Sequence, residues 1–296
     1  MRPEEPTEDD CCHNGCNPCV FDIYECQLER WRKDGLGKNS PRFDLLSETH
    51  FKTFVLSKVR RLTADTNLYT FTAVKDNESQ RGLLPIKAGQ HLILKMNEEL
   101  KTNKLTTRAY TVIPNSEENQ NCGFDVAIKL YENGLMSNYL KTLNVGDSTL
   151  WRGPYGDFSY TTNKYPHIIM ISMGTGVAPM YAVSKAIISN DQDDTIITFL
   201  YGCKSSADII LRSELEKLSS FWNFHSTYFL SQNFDIKNKK YSEKFVEGRI
   251  GESVLLNFIK SVERDQFLIC GSEKFCCDIK GSLIKHGVKE SNIFIF

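Results

Sequence analysis

The stretch MISMGTGVAPM, residues 170–180, decides how the second half of this chain folds. An apolar run leads straight into Gly174-Thr175-Gly176, and the spacing predicts a helix starting near Pro179. Glycines let a backbone turn tightly and approach a ligand. Proline fits the first helical turn, where its missing N–H costs nothing. The amino end of such a helix offers free N–H groups to a pyrophosphate. On its own G-T-G is a weak signal, because any strand-to-helix turn can use the same residues.

The surrounding rhythm strengthens it. After PHIIMISMGTG, the apolar runs TIITFLYG, HSTYFLS, QFLICG and NIFIF alternate with the helical patterns YAVSKAII, SELEKL, ESVLLNFI and KFCCDIKGSLIKHG. Nearly continuous apolar strands between helices mark a parallel sheet covered on both faces. Residues 165–296 are therefore expected to form an α/β nucleotide-binding domain. Residues 50–160 read differently. FKTFVLSKVRRL, NLYTFTAV, GQHLILKM, RAYTVI and FDVAIKLY are short β-branched or aromatic runs set between turns, with one helical segment, SNYLKTL. That pattern predicts a small antiparallel barrel. Residues 1–45 form a third, cysteine-rich section ending in the turn-forming run DGLGKNSPR.

Bulk properties narrow the class. A chain of 296 residues suffices for two domains and an appendage, and its net charge of −1 gives no basic field for nucleic acid or anionic membrane. The longest apolar stretch, IIMISM, is too short to span a bilayer. The acidic start MRPEEPTEDD argues against a secretory or transit leader, so a soluble cytoplasmic protein is expected, with mitochondrial association left open. Ten cysteines, five of them within the first 26 residues, read as reduced thiols rather than a secreted disulfide framework.

Three further motifs bear on chemistry. In LICGSEKF, 268–275, a strand ends at Cys270-Gly271, and ligands of open α/β sheets bind off such carboxyl ends. The plainer use of Cys270 is as a small buried hydrophobe. In GLMSNYL, 134–140, Ser137 sits near a helix amino end, where it either caps the helix or leaves N–H groups for phosphate. In RAYTVI, 108–113, strand geometry puts Arg108 and Tyr110 on one face and Ala109 and Thr111 on the other. An edge ion pair is the simple explanation of that arginine.

The order RAYT, IKLY, GLMSNYL, GTGVAPM, CG and a terminal aromatic strand resembles the NADH–cytochrome b5 reductase family of ferredoxin reductase-like flavoenzymes, over about residues 50–296. The resemblance implies a six-stranded barrel holding FAD and an α/β domain holding NADH. It implies hydride transfer to flavin N5 and release of single electrons to cytochrome b5 or a similar acceptor. By position, Arg108 would pair with the FAD pyrophosphate, Tyr110 would lie against the flavin and Thr111 would offer its hydroxyl near N5. Ala109 belongs to the same strand. Ala127 and Lys129 would add contacts to the FAD tail, and Leu135, Met136 and Ser137 would wrap its pyrophosphate. Gly174, Thr175, Gly176, Ala178 and Pro179 would meet the nicotinamide nucleotide, with Cys270 and Gly271 beside the nicotinamide and Phe296 closing the last strand. Thr111 and Cys270 are the residues nearest the chemistry, and a monomer is expected.

Three positions depart from the family pattern. Ala109 stands where proline is common, and Ala178 where a threonine hydroxyl would approach the cofactors. Ser231 stands where NADH-preferring members carry an acid that holds ribose hydroxyls and repels a 2′-phosphate, and Lys237, Lys239 and Lys240 follow. NADPH is therefore kept open beside NADH. Two other readings stand beside the leading one: an NADPH-dependent reductase of an iron–sulfur protein or small acceptor, and a catalytically weak flavoprotein scaffold. The scaffold would have little reason to keep both RAYT and GLMS.

The head carries Cys11, Cys12, Cys16 and Cys19 with His13 embedded, a spacing at which thiolates can surround zinc or an iron–sulfur cluster. It resembles the short oxidoreductase-like domain. A thiol-rich docking element without metal is the alternative. The following run VFDIYECQLERW reads as an amphipathic helix.

Overall fold

The computed structural model describes residues 3, 5–11, 19–33, 45–74, 84–96, 106–114, 122–232, 234 and 239–296. The chain divides into two compact units. One comprises residues 1–60, 68–126 and 130–155, and the other residues 61–67, 127–129 and 156–296.

Six antiparallel strands build the first half: β1 (Lys52–Arg61), β2 (Thr66–Ala73), β3 (His91–Lys95), β4 (Thr107–Ile113), β5 (Gly123–Lys129) and β6 (Ser148–Tyr155). They run in the order β1-β2-β5-β4-β3-β6. The outer strands then pair with each other, Lys52 opposite Trp151 and Val55 opposite Ser148, which leaves no free edge. The alternation of inward residues fills the interior with rings: Trp151 lies 4.8 Å from Phe71 and 5.0 Å from Phe124. Buried Thr149 accepts the Trp151 indole N–H at 2.9 Å, so the polar edge of that ring is satisfied. β6 was not among the sequence-predicted strands. Its segment STLWRGPY contains Gly153-Pro154, which reads as a turn, yet Gly153 sits at φ +142 within the strand. There a Cβ would lie 2.7 Å from Leu92, so only glycine lets β6 lie against β3.

The head packs within the same unit. Helix α1 spans Val20–Lys33, and its Gln27 donates to Glu48 at 2.8 Å. Arg152, buried in β6 and stacked 4.7 Å from Phe51, donates to the Asp10 carbonyl at 2.6 Å. Helix α2 (Leu135–Thr142) connects β5 to β6 and buries Met136, Tyr139 and Leu140.

In the second unit six parallel strands lie in the order β10-β9-β8-β7-β11-β12. They are β7 (His167–Met173), β8 (Ile196–Cys203), β9 (Phe224–Leu230), β10 (Phe245–Glu247), β11 (Asp265–Cys270) and β12 (Ile293–Ile295). Helices α3 (Val177–Ile188), α4 (Arg212–Leu218), α5 (Glu252–Leu256) and α6 (Glu273–Lys285) join them. Every side chain of β7 except Met173 is buried, as its unbroken apolar run predicts. β10, only three residues long, carries too little pattern to be read from sequence, and α5 is shorter than ESVLLNFI suggested. Chain order reverses between β7 and β11, so the topological switch point lies at their carboxyl ends. No helix among the described residues is long and apolar enough to cross a membrane.

Candidate functional site

The barrel carries one set of predicted residues. On β4, Arg108 and Tyr110 face the same way as their cross-strand partners Leu94 and Leu92, which are fully buried. Ala109 and Thr111 point to the other side, opposite Ile93 and His91. Arg108 remains exposed at the strand start, its guanidinium donating to the Thr107 carbonyl at 2.7 Å. Tyr110 is half-buried, 6.1 Å from Trp151, and burial pushes its phenol far above the ordinary range, so it stays protonated. Ala127 is buried in β5. Lys129, at the end of the same strand, pairs with Asp65 at 2.8 Å. Burial raises the Asp65 carboxyl, but hydrogen bonds from Lys129 and Thr66 and the Lys129 charge outweigh it and hold the group below its usual range.

Helix α2 begins at Gly134 with no side-chain cap on its amino end. Ser137, a candidate cap, does something else: its buried hydroxyl accepts the Tyr131 N–H at 2.9 Å and fixes the turn before the helix. The first helical bond at this end is from Asn138 N–H to the Gly134 carbonyl at 2.9 Å. The N–H groups of Leu135, Met136 and Ser137 precede it, the positions at which a helix offers donors to an anion. Leu135 is exposed and Met136 buried. An exposed guanidinium on β4 and an uncapped helix start suit a diphosphate in charge and donor type, so this unit fits the tail of FAD.

The second set lies at the switch point. Gly174-Thr175-Gly176 forms a single 3-10 turn running directly into α3, with Gly174 at φ +56, a left-handed conformation natural to glycine. Its carbonyl accepts the hydroxyl of buried Tyr201 at 2.8 Å, a lock that sequence reasoning missed because nothing in TIITFLYG separates this tyrosine from its apolar neighbours. A Cβ on Gly176 would lie 2.4 Å from the Cys270 carbonyl, so the two predicted motifs touch through their backbones. Ala178 and Pro179 are buried in the first turn of α3. Burial pushes the Cys270 thiol up to about 12, so it is a neutral thiol and no nucleophile at ordinary pH. Gly271 is hemmed by Phe275 and Met173, where a Cβ would meet atoms at 2.7 and 2.8 Å. Phe296 follows β12, donates its N–H to Ile269 of β11 and packs with Phe158 and Phe294, at 5.0 and 4.9 Å.

Off the carboxyl ends of β7, β8, β9 and β11 opens a cleft of about 530 Å³, lined by Met173, Gly174, Cys203, Ser231 and Ser272 among others, all in the second unit. That volume falls in the range of cofactor pockets. The close backbone approach at Gly176 and the open space beside Gly174, where a Cβ would meet nothing within 4 Å, fit an extended dinucleotide.

For the head, Cys11 and Cys19 bring their sulfurs to 3.9 Å. Cys12, Cys16 and His13 lie outside the described residues, as do the run 34–42 and Lys237. Among the described residues no group of three or more His, Cys, Asp or Glu side chains could hold a metal, and the described cysteines are free thiols.

Comparison with known proteins agrees with this architecture. Residues 53–160 match the oxidoreductase FAD-binding domain, residues 170–280 the oxidoreductase NAD-binding domain, and residues 1–36 the N-terminal segment of oxidoreductase-like proteins. Together these define an FAD- and NAD-binding oxidoreductase. The chain belongs to the NADH–cytochrome b5 reductase family: it is 36% identical to the NADH-cytochrome b5 reductase-like protein of Homo sapiens, over all of this chain and 95% of that one. It is also 31% identical to NADH-cytochrome b5 reductase 1 of Dictyostelium discoideum, over 85% of this chain and 83% of that one. Among solved structures, the cytochrome b5 reductase domain of Ulva prolifera nitrate reductase superposes with a TM-score of 0.73 at 26% identity, covering 86% of this chain and 100% of that one.

Proposed function

We propose that this protein is an FAD-dependent reductase that takes reducing equivalents from a nicotinamide nucleotide and delivers them to a b5-type haem protein. Bound FAD would supply the redox chemistry, accepting a hydride at N5 and releasing electrons one at a time. The chain's own residues bind, orient and exclude water. Arg108 and the N–H groups at the start of α2 hold the diphosphate of FAD. Tyr110, kept neutral by burial, would lie against the ring system and Thr111 would offer a hydroxyl at its edge. The GTG turn, locked by Tyr201, would give the nicotinamide nucleotide a close backbone approach, and Cys270, also neutral, would sit beside the nicotinamide without reacting.

The observation that carries this reading is the backbone contact of Gly176 with Cys270, which puts two glycine-bearing strand ends at the switch point of a parallel sheet. The test is to purify the full chain, record its visible spectrum and follow ferricyanide and cytochrome b5 reduction with a reduced nicotinamide nucleotide. A yellow protein that reduces both is expected. A colourless protein that stays so when mixed with FAD would refute the proposal.

A further inference from the structure

The cleft of the second unit has two ends of different character. At β11 and β7 it is lined by Ser272, Phe275, Met173 and Gly174, with Lys274 and Asp278 on α6, and the Asp65–Lys129 ion pair also borders the cleft. At the carboxyl ends of β8, β9 and β10 it is lined by Lys204, Ser231, Gln232 and Arg249. Backbone hydrogen bonds tie these chain segments together. Gln232 N–H reaches the Lys204 carbonyl at 2.7 Å, Ser231 N–H the Cys203 carbonyl at 3.0 Å, and Gly248 N–H the Leu230 carbonyl at 2.8 Å. Lys204, Ser231, Gln232 and Arg249 are all exposed. They follow β8, β9 and β10, which stand two, three and four strand spacings from β11, about 10 to 19 Å away across the sheet.

A dinucleotide with its nicotinamide at Cys270 would run its adenosine ribose to that far end. An acid there would bind the ribose diol and repel a phosphate on it. Here the strand end offers a hydroxyl and an amide. The carboxylate on the neighbouring connection, Asp208, accepts the Ser205 hydroxyl at 2.6 Å, and the nearby Glu243 is engaged by Arg212 at 2.6 Å. Resting on the reading above, we propose that this cleft accepts 2′-phosphorylated nucleotides, so that NADPH serves as a donor. Ser231 permits the phosphate, and Arg249 and Lys204 bind it. Arg249 supplies a planar fork suited to two phosphate oxygens, and Lys204 a point charge. The proposed site includes none of residues 235–238, which lie outside the described residues.

Two measurements on the full chain test this. Calorimetry compares adenosine 2′,5′-bisphosphate with 5′-AMP, and steady-state assays compare kcat/KM for NADPH and NADH. The bisphosphate should bind more tightly than 5′-AMP, and the two donors should lie within roughly ten-fold of one another. Arg249→Ala should weaken the bisphosphate about ten-fold while leaving 5′-AMP unchanged, and Ser231→Asp should depress NADPH alone. Both substitutions are at exposed positions, and 5′-AMP binding by each variant reports an intact cleft. If 5′-AMP binds but the bisphosphate binds no better, or NADPH falls a hundred-fold below NADH, the proposal is overturned while the reductase reading stands. If neither fragment binds and neither donor is oxidised, both fall.

Discussion

Gly176 and Gly134 each introduce a helix, yet the obstacles around them differ in kind. A Cβ on Gly176 would strike the Cys270 backbone carbonyl at 2.4 Å, in the middle of a parallel sheet whose strands cannot move independently. A Cβ on Gly134 would meet the Ser137 hydroxyl at 2.9 Å, the end of a side chain able to rotate. The helices match their settings. α3 buries nine residues, all but three of its twelve, and takes its start from a locked turn. α2 is amphipathic, has eight residues and leaves its amino end uncapped. The GTG turn is thus fixed by backbone packing and the barrel helix by one hydroxyl. Substitutions should expose that difference.

The largest effect is expected from Gly176→Ala. The clash is with main chain, so the GTG turn or the end of β11 must shift, and close approach by a dinucleotide is lost. Reduction driven by NADH or NADPH should fall at least roughly a hundred-fold, while FAD content, a property of the barrel, stays near one per chain. Flavin stoichiometry from the visible spectrum, measured beside stopped-flow reduction, separates the two. Equal loss of flavin would break the contrast.

Arg108→Ala should do the reverse. Removing a charged donor from a diphosphate costs about 1.5–3 kcal/mol, roughly ten- to a hundred-fold in FAD retention. Titration of apoprotein with FAD would show it, and Arg108→Lys should recover part of the affinity, because it keeps the charge but not the fork. An unchanged titration would remove Arg108 from the grip.

A smaller effect concerns the opposite end of β7 and β11, the strands that lead to Gly176 and Cys270. His167 of β7 faces Asp265 of β11, its Nδ1 3.4 Å from the carboxylate and its Nε2 2.9 Å from the Thr198 hydroxyl. Burial is the strongest influence and, despite Asp265, holds the imidazole below its ordinary value of 6.5. The unfolded chain then binds a proton more readily than the folded one. Stability from neutral His167 is complete above about pH 6.5 and drains as pH falls toward the lowered folded value. Urea midpoints between pH 7.5 and 5 should decline, and His167→Gln should flatten the decline. Parallel slopes would show that the strands are not held this way.

Much of this contrast was legible in the sequence. The apolar runs ending in glycine announced the parallel sheet, and the alternation in RAYTVI placed Arg108 and Tyr110 on one face. What escaped depends on partners far along the chain. Tyr201 reads as one more apolar strand residue until its hydroxyl meets Gly174, and nothing near Lys129, expected at the FAD tail, announces its pairing with Asp65. β6 escaped because Gly-Pro signals a turn locally, whereas the need for glycine there comes from Leu92 on another strand. The hydrogen bond of Ser137 escaped for the same reason. Its type and place suggest a cap, but the donor it satisfies lies before the helix, at Tyr131.

That hydroxyl makes Gly134→Ala the mildest of these tests. The new methyl can be accommodated if Ser137 changes rotamer, which gives up the bond from the Tyr131 N–H. A single neutral hydrogen bond is worth about 1 kcal/mol net, so FAD affinity should fall only about five-fold and the fold should survive. Ser137→Ala removes the same acceptor without adding a methyl and should match it. In the double variant the methyl meets no hydroxyl, so the losses should fall short of the sum, the mark of two changes acting through one contact. Full additivity in FAD titrations would mean that the methyl obstructs the diphosphate itself, and α2 would then resemble α3 in being fixed by backbone packing.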